Sequence, residues 1–85
     1  MSIERSKLDW ACRRGMLELD IILSQFLEYE YSDLPVTLQH DFQRVLDCSD
    51  LELFRCLLRD EVPSDPSLQP ILGVIREKHQ TRHSR

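Results

Sequence analysis

The sequence predicts an all-α protein, a single domain folded as a compact bundle of five helices. Glycine occurs only twice in 85 residues and β-branched residues are few, a composition that favours helices. Apolar residues recur at spacings of three and four, without the alternation typical of strands. A chain of this length buries about 60–65% of its unfolded surface, which is enough for one core.

The first predicted helix covers residues 3–14, with Ser2 as a candidate cap. One face carries apolar residues at helical spacing, namely Leu8, Ala11 and Cys12. Gly15 continues this face and suits either a helix end or a close approach by another backbone. Such a helix places Trp10 and Arg14 one turn apart on the other side, which permits the guanidinium to pack on the indole face.

The second predicted helix covers residues 16–29. An apolar stripe about 140° wide is predicted to face the core. It consists of Met16, Leu19, Ile22, Leu23, Phe26 and Leu27. Leu17 and Ile21 lie outside this stripe, so they are either exposed or covered by a second neighbouring helix. The pattern favours neither alternative.

Three further helices follow, and their starts are marked by proline and by capping residues. Pro35 suits the first turn of the third helix, and the SDLE sequence at residues 49–52 has the capping-box pattern with Ser49 as N-cap. The fifth helix is predicted to start at Ser67. The residues expected inward are Leu38, Phe42, Val45 and Leu46, then Leu51, Phe54, Leu57 and Leu58, then Leu68, Ile71, Leu72 and Ile75.

The charge of the chain differs between its body and its tail. Residues 1–75, the predicted domain, hold 14 acidic and 7 basic side chains, whereas residues 76–85, a basic tail expected to fray, hold four basic and one acidic. The acidic body would repel phosphates, so nucleic acid is not expected as a partner. No apolar run reaches the roughly 18 residues of a membrane span, and the N-terminus lacks a signal-peptide pattern. A bacterial cytoplasmic protein is expected.

Catalytic and metal-binding motifs are not found in the sequence. It contains no GxSxG, P-loop, GxGxxG or HExxH pattern, and its three cysteines include no CxxC pair. His79 and His83 have a spacing that suits a metal, but the sequence places no third ligand beside them, so a solvated tail is expected instead. The sequence therefore predicts neither an enzyme nor a metal site.

The join between the first two helices carries the ingredients of a protein-binding surface. Gly15 provides a notch without a side chain, flanked by the opposite charges of Arg14 and Glu18. Aromatic, arginine and aliphatic anchors are typical of binding hot spots. Here Trp10, Arg14, Leu17 and Ile21 would supply these anchors.

The residues WACRRGMLELD, with Arg14-Gly15-Met16-Leu17-Glu18 at their centre, resemble the Arg-Gly-x-x-Glu signature of the succinate dehydrogenase assembly factors. The resemblance extends through FLEYEY, the proline-initiated third helix and LLRDEVPSDPSL, which together cover nearly the whole chain. It implies that Arg14, Gly15 and Glu18 bind a partner, and Met16 and Asp20, which lie within the same motif, are also predicted to bind it.

The resemblance implies an assembly factor without catalysis of its own. Its partner would be the flavoprotein subunit of succinate dehydrogenase, and also that of fumarate reductase. In this family the flavoprotein attaches its own FAD through a histidine that attacks the isoalloxazine methyl group, while the assembly factor positions the reacting groups. FAD then belongs to the partner, and no cofactor is expected to bind tightly to this chain.

Two other functions remain open. The resemblance also allows an antitoxin-type or cytoskeletal regulator, which would use the same corner to bind a different protein. A direct FAD carrier would need a site for the diphosphate, but the sequence shows no glycine-rich cradle and its body is acidic.

Overall fold

The computed structural model of the protein describes residues 5–83, with side chains for residues 5–82. The predicted fold class is confirmed, because this part of the chain forms five α-helices and no strand. The helices are α1 Arg5–Ala11, α2 Leu17–Tyr29, α3 Val36–Val45, α4 Asp50–Leu53 and α5 Gln69–His83. Tyr31–Asp33 and Pro66–Leu68 form 3₁₀ turns, and Phe54–Leu58 extends α4 as a π-helix.

One hydrophobic core joins the five helices. Its largest contribution comes from α2, which packs against α1 and α5, while α3 packs against α5 as well. The rings of Phe26 and Phe42 lie 5.2 Å apart between centroids, and the ring of Tyr31 lies 5.4 Å from that of Phe42. Aromatic pairs at such distances add about 0.5–1.5 kcal/mol beyond the area they bury.

The predicted core stripes of α2, α3 and α5 are confirmed with two partial members. Met16 and Leu38 are only partly buried against the core. The remaining predicted residues of these three stripes are buried: Leu19, Ile22, Leu23, Phe26, Leu27, Phe42, Val45, Leu46, Leu68, Ile71, Leu72 and Ile75.

The predicted end of the first helix is wrong by three residues. α1 ends at Ala11, and the last turn is closed by the amides of Cys12 and Arg13, which donate to the carbonyls of Leu8 and Trp10. Cys12 is fully buried in the core, so the chain turns inward directly after the helix. The candidate cap Ser2 lies outside the described residues.

The predicted buried face of the fourth helix is also wrong. Leu51 is 59% exposed, and Phe54 and Leu58 are only partly buried. Among the predicted residues only Leu57 is buried, and Leu53 and Cys56 join it in the core. The segment from residue 51 to residue 58 is apolar on most sides, so periodicity does not select its inner face, and contacts with the rest of the bundle decide it.

Side-chain caps fix the starts of the last two helices. The Ser49 hydroxyl accepts the Glu52 amide at 3.2 Å, as the capping box predicts, while the Glu52 carboxylate accepts the amide of Ser64 at 2.9 Å. Asp65 accepts the Ser67 amide at 3.0 Å at the 3₁₀ turn that leads into α5. Each cap satisfies an amide that has no partner within its own helix.

The fifth helix crosses the predicted boundary between body and tail at residue 76. It continues to His83, and Arg82 near its end pairs with Glu30 and lies over the Tyr29 ring, with 5.2 Å from the guanidinium carbon to the ring centroid. The side chain of His83, whose spacing from His79 would suit a metal, lies outside the described residues. No helix in residues 5–83 combines the length and apolarity that crossing a membrane requires.

Candidate functional site

The corner, defined here as residues 12–18, reverses the chain between α1 and α2. The two helices run antiparallel, because Arg5 at the start of α1 donates to the Leu27 carbonyl near the end of α2 at 3.2 Å. Trp10 at the end of α1 therefore lies at the same end of the hairpin as Leu17 at the start of α2.

The Arg14 side chain points into the molecule and joins the corner to the α3–α4 connection. Its Nη1 donates to the Cys48 carbonyl at 3.1 Å and to the Asp50 carboxylate at 3.4 Å, and its Nη2 donates to the Leu46 carbonyl. The side chain is only 12% exposed. Hydrogen bonds from a charged group stabilise by roughly 1.5–3 kcal/mol each, so Arg14 is an anchor of the corner.

The predicted packing of Arg14 on Trp10 is therefore wrong. It required both residues on one continuous helix, but α1 ends at Ala11 and Arg14 follows a turn. The acceptors that draw the guanidinium inward lie 32 to 36 residues further along the chain. Trp10 is left 74% exposed. Arg14 likewise does not flank the Gly15 notch as a surface charge.

Gly15 is exposed, and the fold of the chain does not require a glycine at this position. Its φ angle is not in the left-handed region, and a Cβ placed on it would approach Asp50 Oδ2 no closer than 3.5 Å, an ordinary contact. The Gly15 amide donates to the same Oδ2 at 3.2 Å. The missing side chain thus leaves open space on the outside of a corner that is fixed from within.

The side chains that flank Gly15 on the outside are apolar and acidic. Leu17 is 73% exposed, Ile21 is 38% exposed and Glu18 is exposed beside them on α2. The structure therefore decides the alternative that the sequence left open, because Leu17 and Ile21 are not core residues. Their spacing of four places them on one line along the helix.

The other two predicted site residues are less exposed. Met16 precedes α2 in an extended conformation, with its side chain packed against the core. Asp20 is half-buried and accepts a hydrogen bond from the Ser24 hydroxyl at 3.4 Å. It also lines a groove between α1 and α2 with Ser24 and with charged neighbours, namely Arg5, Asp9, Arg13 and Glu28.

The cysteines are held in their neutral form. Burial, with a smaller contribution from Asp9, raises the pKa of Cys12 to about 12. Burial also raises the pKa values of Cys48 and Cys56, with Glu52 adding to both. Since the thiolate is the reactive form, these thiols are poor nucleophiles near neutral pH. No three His, Cys, Asp or Glu side chains within the described residues are grouped to hold a metal.

Sequence reasoning missed the residues that fix the corner. Asp50 and the carbonyls of Leu46 and Cys48 were not candidates, because a contact across more than 30 residues leaves no periodic signal. Asp50 was visible only as a residue of the SDLE capping box.

The chain matches a known family and several of its members. Residues 6–79 match the family described as flavinator of succinate dehydrogenase. Over 78 residues the chain is 38% identical to the FAD assembly factor SdhE of Yersinia pseudotuberculosis. The aligned residues cover 92% of this chain and 89% of that protein. It is 41% identical over 75 residues to the SdhE of Mannheimia succiniciproducens, with coverages of 88% and 87%. For Methylococcus capsulatus SdhE the identity is 38% over 73 residues, with coverages of 86% and 88%.

These matches span nearly the whole of each protein, and they agree with the resemblance carried by Arg14, Gly15 and Glu18. The chain belongs to the family of succinate dehydrogenase flavinators, which are assembly factors and not enzymes.

Proposed function

We propose that this chain binds the flavoprotein subunit of succinate dehydrogenase and promotes the covalent attachment of FAD to it. Membership of the flavinator family supports this proposal, as do the names of the similar bacterial proteins. The proposal includes the flavoprotein of fumarate reductase as a second partner and the bacterial cytoplasm as the place of action.

The observation that carries the proposal is the corner around Gly15. Its backbone is fixed by contacts with the α3–α4 connection, and its outer side presents a residue that the fold itself does not require to be glycine. Neither the backbone conformation nor the packing of this chain requires glycine here. A glycine at such an exposed position is suited to the close approach of a partner backbone. A preformed corner also loses little conformational entropy on binding.

Each predicted site residue has a separate part in this proposal. Gly15 admits the partner, and the exposed Glu18 carboxylate accepts hydrogen bonds from it. Trp10, Leu17 and Ile21 supply apolar area, which is the usual source of binding energy at the centre of an interface. Arg14, Met16 and Asp20 act mainly by shaping the corner, since their side chains are wholly or partly turned away from solvent.

The chain would act by positioning and would not take part in the bond-forming step. The partner's histidine and FAD react with each other, and the assembly factor stabilises the arrangement in which they meet. Holding two groups in a reactive geometry can lower a barrier by about 7–11 kcal/mol. No cofactor of its own is required by this mechanism.

The proposal is tested by the Glu18→Ala variant in a flavin-attachment assay. The flavoprotein subunit is expressed alone, with the wild-type chain and with the variant, and covalent flavin is measured by fluorescence in a denaturing gel. The wild type is expected to strengthen the flavin band and the variant is expected to lose most of this effect. Its melting temperature should stay close to that of the wild type, because Glu18 is exposed.

Glu77→Ala is the matched control, because it removes an exposed glutamate from α5. It should promote attachment as well as the wild type does. Equal flavin bands with and without the wild-type chain would contradict the proposed function. Submicromolar binding of free FAD to the isolated chain would instead indicate a direct flavin carrier.

A further inference from the structure

We propose that Asp50 is a positioning residue that sets the conformation of the corner from the start of α4. The inference rests on the proposed function and extends it to a residue outside the Arg-Gly-x-x-Glu signature. Asp50 is the first residue of α4 and lies 35 positions after Gly15.

The two oxygens of the Asp50 carboxylate bind two adjacent residues of the corner. Oδ1 accepts from Arg14 Nη1 at 3.4 Å, and Oδ2 accepts from the Gly15 amide at 3.2 Å. One side chain thus fixes both a side chain and the backbone beside it. A carboxylate suits this task because it offers two acceptors with a negative charge opposite the guanidinium.

The position of Asp50 is itself fixed. Ser49 immediately before it caps α4 by accepting the Glu52 amide, which sets the direction in which the first turn of the helix leaves the connection. A negative charge in the first turn is also favoured by the helix dipole. The carboxylate is therefore presented to the corner by a regular structure.

Arg14 and Gly15 depend on Asp50 to different degrees. Arg14 retains the carbonyls of Leu46 and Cys48 when the carboxylate is removed, so the corner stays attached to the bundle. The Gly15 amide, in contrast, loses its acceptor. Removal of Asp50 should consequently loosen the backbone at the point that the partner is proposed to approach, while the helices remain folded.

The experiment compares Asp50→Ala and Asp50→Asn with the wild type. Hydrogen exchange of the Gly15 amide is measured by NMR in the free chain, and flavin attachment is measured with the flavoprotein subunit. Asp47→Asn is the control, since it removes an exposed carboxylate from the same connection. Circular dichroism reports whether each variant retains its helices.

In Asp50→Ala we expect the Gly15 amide to exchange about tenfold faster, with a several-fold loss of flavin attachment and a retained helical signal. Asp50→Asn keeps one oxygen acceptor and should restore part of both properties. Asp47→Asn should match the wild type in both.

Four results would overturn the inference. They are wild-type behaviour of Asp50→Ala in both assays, faster exchange without loss of attachment, loss of attachment without faster exchange, and loss of the helical signal. Loss of attachment without faster exchange would mean that Asp50 contacts the partner directly. Loss of the helical signal would mean that Asp50 is required for folding. If the wild-type chain itself fails to promote attachment, the proposed function fails, and amide exchange alone still decides whether Asp50 positions the corner.

Discussion

Arg14 donates to two carbonyls of the α3–α4 connection and to the carboxylate of Asp50 at the start of α4, whereas the adjacent Gly15 donates only its backbone amide to that carboxylate. The two residues are neighbours in one signature, yet the Arg14 side chain points into the molecule, whereas Gly15 is exposed and has no side chain. Glu18, one turn further on, is exposed. At the residue scale, the signature therefore combines an internal anchor, Arg14, with two exposed residues, Gly15 and Glu18.

Gly15→Ala should separate stability from function. Its Cβ would meet Asp50 Oδ2 at 3.5 Å and no left-handed φ is involved, so the free energy of unfolding should change by less than about 0.5 kcal/mol. Flavin attachment should fall several-fold, because the methyl group occupies the space proposed for the partner. Urea unfolding and in-gel flavin fluorescence measure the two effects.

Gly73→Ala is the matched control for this substitution. Gly73 lies inside α5 and a Cβ there would meet no atom within 4 Å. Alanine should stabilise the chain by about 0.5–1 kcal/mol, since glycine is a weak helix former, and attachment should be unaffected. If Gly15→Ala leaves flavin attachment unaffected, as Gly73→Ala should, the corner is not the contact.

At the scale of the elements, a cluster of polar side chains joins α3 to the start of α5. Arg44 of α3 pairs with Asp65 at 2.6 Å and donates to the Ser67 hydroxyl at 2.9 Å. Asp65 also accepts the amide and the hydroxyl of Ser67. These hydrogen bonds from Ser67, followed by the charge of Arg44, lower the pKa of Asp65 below its ordinary value.

The lowered pKa predicts a pH-dependent contribution of Asp65 to stability. The folded state favours the ionised carboxylate, so the stabilisation is present above the ordinary pKa of 3.8 and is lost as the pH falls through the lowered folded value. Asp65→Asn should therefore be less stable than the wild type near neutral pH, and the difference should shrink in acid.

Urea unfolding from about pH 7 to about pH 2 measures this difference. Asp33→Asn, which removes an exposed carboxylate from the other 3₁₀ turn, is the control and should show a smaller dependence. A difference for Asp65→Asn that persists unchanged in acid would show that its cap does not depend on ionisation.

At the scale of the whole molecule, contacts distant in sequence unite the hairpin of α1 and α2 with the other helices. Arg14 joins one end of the hairpin to the α3–α4 connection, and Arg82 joins the other end to α5 through Glu30. Between these contacts lies the shared core around Phe26 and Phe42. The exposed apolar residues at the corner are thus displayed on a supported surface.

Leu17→Glu tests that surface. Leu17 is 73% exposed and contributes little to the core, so the variant should keep its helical signal and most of its stability. Binding to the flavoprotein subunit should weaken at least tenfold, because a charge replaces an apolar contact residue. Titration calorimetry with the purified subunit measures the affinity.

Val62→Glu is the corresponding control, since Val62 is 71% exposed in the loop before α5. It should bind as the wild type does. An insoluble Leu17→Glu variant would indicate that Leu17 contributes to folding, and equal losses of affinity in both variants would indicate a general effect of negative charge.

Sequence patterns alone predict the helical class, the core stripes of α2, α3 and α5, and the family signature. Periodicity and capping are local patterns, so they can be recognised in the sequence wherever one face of a helix is clearly apolar. For the same reason, the residues from 51 to 58, apolar on most sides, gave the wrong inner face.

Tertiary contacts set the orientation of Arg14, the hydrogen bonds of Asp50 and the exposure of Leu17. Each of these properties depends on which residues the folded chain brings into contact and which it keeps apart. The acceptors of Arg14 are more than 30 residues distant, and the first helix ends at Ala11, three residues before Arg14. The physical reason is that a helix end is set by competition between local hydrogen bonds and distant ones, and the sequence displays only the local side.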